Sequence, residues 1–452
     1  MKLKRKIYNR LLAWKKECGG TKAILIEGAR RIGKSTICEE FGKNEYKSYL
    51  IIDFAKAASN VKEYFEKYLN DLDTFFMLLS AEYGKKLYQR DSLIIFDEVQ
   101  MFPKAREAIK YLVADGRYDY IETGSLISIR ENVKDIVIPS EERHLKMYPL
   151  DFEEFAWALG EETLIDYIKS CFTSRKELER TLHIKAMLVF KQYILIGGMP
   201  KSVVLFLENH KDFGSSDQEK RDILELYRSD IMKINARYRS KVISIFDQIP
   251  GLLSQHEKRI VFKQVKEGSY AGQYEETFFW LSDSMISNEC FLCSDPNVGL
   301  SANEARTYVK CYLGDTGLLV SHAFDENELL ESEVYKQILA DKLSLNEGML
   351  YENVIAQMLT ANGHKLYFYT HYSEEKHRND MKIDFLLSNN SKLKYKLYPI
   401  EVKSGNNYTI KSMLAFREKY KGRIGECYII HPRNFMVRDG IICIPPYMTI
   451  CL

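Results

Sequence analysis

Between Lys22 and about Leu150 the chain alternates short apolar runs with stretches whose apolar residues recur at helical spacing. Ala23–Glu27, Ser48–Asp53, Ser92–Asp97 and Tyr118–Thr123 read as strands, with His144–Tyr148 a weaker fifth. Ser59–Ser80 and Phe102–Val113 carry the helical period between them. Near-continuous apolar strands separated by helices predict a parallel sheet covered on both faces. After Pro149 the strand signal fades. Helical periodicity dominates residues 151–255, with a turn at Ile196–Pro200, and the polar stretch Asp212–Lys220 is expected to be a surface loop. Residues 256–342 are shorter and mixed, and predict a winged-helix-like module. From about Leu343 a helix over 347–362 precedes strands at 365–370, 382–387, 396–403 and 426–431. The fold class expected is α/β. A parallel-sheet domain over 1–150 is followed by a helical module over 151–255, the winged-helix-like stretch, and a second α/β domain over 343–452.

Composition narrows the classes. With 452 residues, 46% hydrophobic and 28% charged, the chain has the length of about three domains and enough apolar mass for sizeable cores. No run of about 18 apolar residues occurs, so no membrane partner is expected. The basic N-terminus, Met1–Tyr8, lacks the apolar core and cleavage site of a secretory signal. Nine scattered cysteines argue against a disulfide scaffold and for a cytoplasmic location. Cys290 and Cys293 have no second pair or nearby histidine to complete a zinc tetrahedron. Net charge is +2, but residues 343–452 hold 15 Lys/Arg against 10 Asp/Glu, a local +5 that suits a polyanion.

The strongest chemical signal runs through Gly28, Ala29, Arg30, Arg31, Ile32, Gly33, Lys34, Ser35 and Thr36. Its first eight residues match G-x-x-x-x-G-K-[ST], between a predicted strand and a predicted helix, the context this motif requires. Backbone N–H groups of such a turn and the following helix N-terminus attract phosphate. Lys34 can reach the β- and γ-phosphates, and the Ser35 hydroxyl can ligate Mg²⁺. Leu93–Phe96 then bury a strand that delivers Asp97 to its C-terminal edge, with Glu98 next to it. Asp97 suits the magnesium shell, and Glu98 an attacking water. Thr123 and Ser125 end the next strand and can sense the γ-phosphate, although turn chemistry explains them equally well. Arg143 is a candidate arginine finger acting across a subunit boundary, which would require a homo-oligomer.

A second constellation lies near the C-terminus. Asp384 precedes Glu401-Val-Lys403 by 17 residues, and strand alternation puts Glu401 and Lys403 on one face. If the two strands form a hairpin, Asp384 approaches Glu401, and Glu352 on the preceding helix can join them around a second Mg²⁺. Such a site would poise water for attack on a phosphodiester, with Asp384, Glu401 and Lys403 as its catalytic groups. A surface ion-pair cluster is the plainer reading of the same residues. Tyr367, Phe368, Tyr369 and Tyr372 suit a half-buried core strand better than a base-stacking platform.

The segments Glu27–Thr36, Phe96–Gln100, Glu122–Ser125 and Tyr148–Phe155, and then Ile196–Pro200, Asp315–Leu319, Tyr351–Asn353 and Pro399–Gly405, together resemble one prokaryotic family. Its members are AAA-type P-loop ATPases fused to a C-terminal domain of uncharacterised role. The resemblance spans nearly the whole chain. It implies an AAA-type ATPase core that takes ATP and Mg²⁺, a helical and winged-helix-like middle, and a C-terminal PD-(D/E)XK nuclease-like (restriction-endonuclease-like) fold expected to bind DNA, with cleavage a separate question. That family commonly shows an acidic residue where this chain has Lys382, which would oppose metal binding unless its ammonium reaches solvent. The alternative is a nucleotide-gated regulatory or scaffold protein whose nuclease-like domain is inactive.

Overall fold

The computed structural model describes residues 1–125, 139–255, 258–260, 274–297, 299–324, 332–339, 346–374, 377–389 and 396–452. Parts of the expected winged-helix-like stretch, at 256–257, 261–273, 298, 325–331 and 340–342, lie outside the described residues. The chain divides into two compact units, one of residues 4–148 with 283–285, the other of 1–3, 149–282 and 286–452.

In the smaller unit five strands form one parallel sheet: β1 (Ala23–Glu27), β2 (Ser48–Asp53), β3 (Ser92–Asp97), β4 (Asp119–Gly124) and β5 (Glu142–Lys146), in the order β2-β3-β4-β1-β5. β1, β3 and β4 are buried along their whole length, as a sheet covered on both faces requires, although β4 carries Asp119 and Glu122 among its apolar residues. Phe54, Phe65, Phe75 and Phe96 pack with Ile109 and Leu112 into its core. The helical stretch expected at 59–80 is two helices, Ser59–Lys67 and Leu72–Tyr83, separated where Asp71 accepts the Thr74 N–H and caps the second.

In the larger unit, residues 151–255 are helical as their periodicity indicates. The polar stretch Asp212–Lys220 is not a loop. It caps and opens the helix Phe213–Ile231, and Ser216, Asp217 and Lys220 are fully buried. Asp217 accepts from Ser321 (2.6 Å), Tyr335 (2.7 Å) and Arg221 (2.9 Å), while Lys220 donates to the Leu195 carbonyl (2.8 Å) and Tyr335 (3.0 Å). Polarity implies exposure only where partners are missing, and here partners arrive from distant segments.

The remaining strands are β6 (Ser287–Cys293), β7 (Glu304–Leu313), β8 (Leu366–Ser373), β9 (Arg378–Asn389), β10 (Lys396–Val402), β11 (Tyr428–Ile430), β12 (Met436–Arg438) and β13 (Ile441–Ile444). Among the described residues they make a single sheet, ordered β12-β13-β11-β10-β9-β8-β6-β7. The boundary expected at 342/343 does not divide it, because β6 pairs in parallel with β8 through Cys290↔Leu366 and Leu292↔Phe368. Tyr367, Phe368 and Tyr369 are buried in the strand, whereas Tyr372 is exposed. All nine cysteines are free. Among the described residues no single helix is long and apolar enough to cross a membrane.

Candidate functional site

In the smaller unit, β1 ends at Glu27 and the chain turns through Gly28–Gly33 into the helix Lys34–Glu45. Two glycines serve the turn differently. A Cβ on Gly28 would stand 2.3 Å from Ile32 Cδ1 and 2.5 Å from the Met147 carbonyl oxygen. Gly33 caps the helix at φ 89°, where any side chain is strained. Lys34 is buried and folds its ammonium onto the carbonyl oxygens of Gly28 (2.9 Å) and Ala29 (2.8 Å). Burial lowers its pKa to about 8, against the opposing pull of Glu98 and Asp97. Ile32 is fully buried, while Ser35 and Thr36 are exposed on the first helical turn.

Parallel pairing of β3 with β4, with Phe96 opposite Glu122, brings Thr123 beside Asp97. Ser35 Oγ donates to Asp97 Oδ1 at 2.9 Å, and the Thr123 hydroxyl donates to the same oxygen. Glu98 follows in the left-handed region at φ 53°. Its Oε2 accepts from Gln100 Nε2 and, at 3.3 Å, from Ser125 Oγ, which accepts from Arg30 Nε at 3.4 Å. Arg30, Ser125 and Glu98 thus form a chain from the phosphate loop to the acid. Arg31, at φ 67°, is exposed. Arg143 is not brought to this pocket. It pairs with Ile24 at the opposite end of β1 and makes an ion pair with Glu17 at 3.2 Å.

The structure adds residues that the motif reading passes over. Arg5, buried, donates to the carbonyl oxygens of Ile32 (3.0 Å) and Tyr148 (2.6 Å) and so braces the loop from behind. Beneath the strand ends, Arg106 holds Glu142 through two bonds of 3.0 and 2.6 Å, and His144 reaches Glu142 (2.9 Å) and Glu27 (3.3 Å). Hydrogen bonds to Glu142 and Glu27 raise the His144 pKa to about 9. Glu122 is fully buried, and burial beside Glu142 raises its carboxyl far above the usual range. In sequence the group shows only as Glu27 ending β1, Glu122 inside β4 and Glu142 opening β5, with nothing that marks them as one cluster.

In the larger unit, β9 and β10 pair as an antiparallel hairpin, with Ile400 opposite Phe385. Asp384 therefore lies beside Glu401, and its Oδ2 accepts the Val402 N–H at 2.9 Å. The helix Glu347–Ala361 supplies Glu352. Glu352, Asp384 and Glu401 line one cavity of ≈ 340 Å³ with Lys258, Lys382 and Lys403. Lys310, on β7 and 2% exposed, stands behind it.

Each carboxylate has a lysine. Glu352 Oε1 accepts from Lys310 (2.8 Å) and from the Tyr312 hydroxyl, and its Oε2 from Lys258 (2.5 Å). Lys310 also stands 3.7 Å from Asp384, and Lys403 lies 2.5 Å from Glu401. Burial would raise the Glu352 carboxyl, but Lys310, Lys258 and Lys382 hold it well below the usual range. Burial lifts Glu401 to about 7 despite Lys403. The expected ligand set shares one cavity, with the Lys310 ammonium near both Glu352 and Asp384. Among the described residues no group of three His, Cys, Asp or Glu is placed to hold a metal ion. Lys382 is half-buried and lines this cavity.

Residues 20–156 match the family model of an AAA domain. Residues 187–328 and 347–447 match two domains of unknown function, DUF8612 and DUF4143. No curated protein matches the chain. Among solved structures, the Walker-type ATPase PABY2304 of Pyrococcus abyssi is 14% identical with a TM-score of 0.41, the match covering 71% of this chain and 96% of that one. PCH-2 of C. elegans is 17% identical with a TM-score of 0.21, over 35% of this chain and 46% of that one. The AAA model and the phosphate-loop geometry fall on the same stretch, and residues 20–156 carry an AAA-type P-loop ATPase domain.

Proposed function

We propose that the chain hydrolyses ATP at the Lys34 loop and that its C-terminal part contacts DNA without cutting it. The observation that carries the first half is the convergence of Ser35, Thr123 and Asp97 on one oxygen, with Glu98 adjacent and the Lys34 ammonium folded into the loop. These residues suit a magnesium–triphosphate. Ser35 and Asp97 would hold the ion, which supplies positive charge to the phosphate oxygens. Lys34 leaves the loop carbonyls for the β- and γ-phosphates. Glu98 accepts a proton from the attacking water, positioned by Gln100 and Ser125. Thr123 and Ser125, at the end of β4, register whether the γ-phosphate is present.

The non-cutting half follows from the lysine on each C-terminal carboxylate, which favours the regulatory alternative for that domain. ATP turnover with and without DNA, compared among wild type, Lys34→Ala and Glu98→Gln, is the test. Lys34→Ala is expected to lose ATP binding. Glu98→Gln is expected to bind ATP normally and turn over about 10²–10⁴-fold more slowly. Rapid turnover by Glu98→Gln would discard its role.

A further inference from the structure

Besides Lys34, the sequence offers Arg30, Arg31 and Arg143 as cations for the phosphates, and the fold separates them. Arg143 stands at the far end of β1 from the loop, held by Glu17 at 3.2 Å. The backbone steps into the left-handed region at Arg31, φ 67°, so neighbouring side chains leave the loop differently. Arg31 is exposed, whereas Arg30 is half-buried. Arg30 Nε donates to Ser125 Oγ at 3.4 Å, and Ser125 Oγ donates to Glu98 Oε2 at 3.3 Å. The Arg30 guanidinium therefore lies on the side of the loop where Glu98 would take a proton from water. Lys34 lies instead against the Gly28 and Ala29 carbonyls. Burial is the main reason that the Lys34 pKa is low, and the charge of Arg30 lowers it further. Both cations thus act on one space, and an anion placed there gains from each. At 3.4 Å the bond to a neutral hydroxyl is weak, while phosphate oxygens offer a guanidinium charge-assisted, two-pronged bonds.

We propose that Arg30 is a catalytic residue whose guanidinium contacts the γ-phosphoryl oxygens in the transition state, in cis, so that turnover needs no arginine from a second subunit. The inference deepens the ATP-hydrolysis reading above and rests on it. In the step, the water oxygen forms a bond to the γ-phosphorus and its proton passes to Glu98. The bond from that phosphorus to the β,γ-bridging oxygen breaks, and its electron pair stays on ADP. Negative charge grows on the bridging oxygen and is spread over the γ-phosphoryl oxygens in flight. Lys34 answers the first and Arg30 the second. Ser125 stands between Arg30 and Glu98, so one hydroxyl sets both the charge stabiliser and the base.

The test uses the full chain, with ATP turnover, binding of fluorescent ATP and ADP, and trapping of ADP with aluminium fluoride as readouts. Arg30→Gln is expected to bind ATP within about threefold of wild type and to turn over roughly 10³-fold more slowly. It should keep ADP but fail to trap it with aluminium fluoride, which copies the phosphoryl group in transit. A residue that merely held the loop would weaken ADP as well. Arg143→Ala should hydrolyse at the wild-type rate, and specific activity should stay flat over a roughly hundredfold dilution of the protein. Should Arg30→Gln lose nucleotide outright, Arg30→Lys decides. It keeps the charge without the planar fork, and should bind ATP normally while turning over at least about tenfold more slowly. Wild-type turnover by Arg30→Gln or Arg30→Lys overturns the proposal. So does activity that falls on dilution and vanishes in Arg143→Ala. Both results leave ATP hydrolysis at this loop standing. Absence of turnover in wild type, or unchanged turnover in Lys34→Ala, removes hydrolysis here and the role of Arg30 with it.

Discussion

At Asp97 two hydroxyls donate to one carboxylate oxygen, whereas at Glu352 two ammoniums and a phenol divide the two oxygens between them. Both sites gather buried acids, on strands and, for Glu352, on a helix, so composition alone would rank them together. Hydroxyls orient a carboxylate and leave its charge to act on a ligand. Ammoniums cancel that charge within the protein.

The widest separation between the sites should come from metal removal. EDTA is expected to reduce ATP turnover at least about a thousandfold, since a metal contributes several kcal/mol, while DNA anisotropy stays constant. Equal sensitivity of both readouts would erase the contrast. Next in size is Arg106→Met, which leaves buried Glu142 with His144 as its remaining partner beside Glu122; a loss of roughly 3 kcal/mol in urea denaturation is expected. Gln100→Ala should lower kcat about three- to tenfold with KM little changed, because it frees Glu98 without touching the phosphates. Glu98→Gly should abolish turnover yet raise stability by about 1 kcal/mol, through relief of the left-handed backbone at φ 53°. The smallest effect is a pH dependence. His144 is held at about 9 in the folded state, above the ordinary value near ~6.5. Its contribution to stability is complete below about 6.5 and lost as pH rises through about 9, so Tm should fall over that window and His144→Gln should flatten the fall.

Local pattern carried the strands and the phosphate loop, because an unbroken apolar run such as Leu93–Phe96 reports two-sided burial on its own. The hairpin that sets Asp384 beside Glu401 was legible from alternation and spacing. Lys310 and Lys258 were not. They lie 42 and 94 residues before Glu352, and nothing in their neighbourhoods marks them as partners of a buried acid. Asp217 and Lys220 misled for the same reason, reading as a solvated loop when each is satisfied across the fold. Arg5 was visible only as one charge in a basic N-terminus, whereas its work is to hold two backbone carbonyls behind the loop.

The pairing of β6 with β8 has an evolutionary corollary. The stretches at 187–328 and 347–447 look like exchangeable cassettes, yet they share a continuous hydrogen-bonded ladder through Cys290, Phe291 and Leu292. Recombination at the junction would strip β8 of its neighbour and create a sticky border prone to self-association. It would also orphan Glu352 by removing Lys310. Lineages should therefore inherit the two halves as one indivisible piece, and chimeras joined there should precipitate where chimeras joined near Pro149 remain soluble.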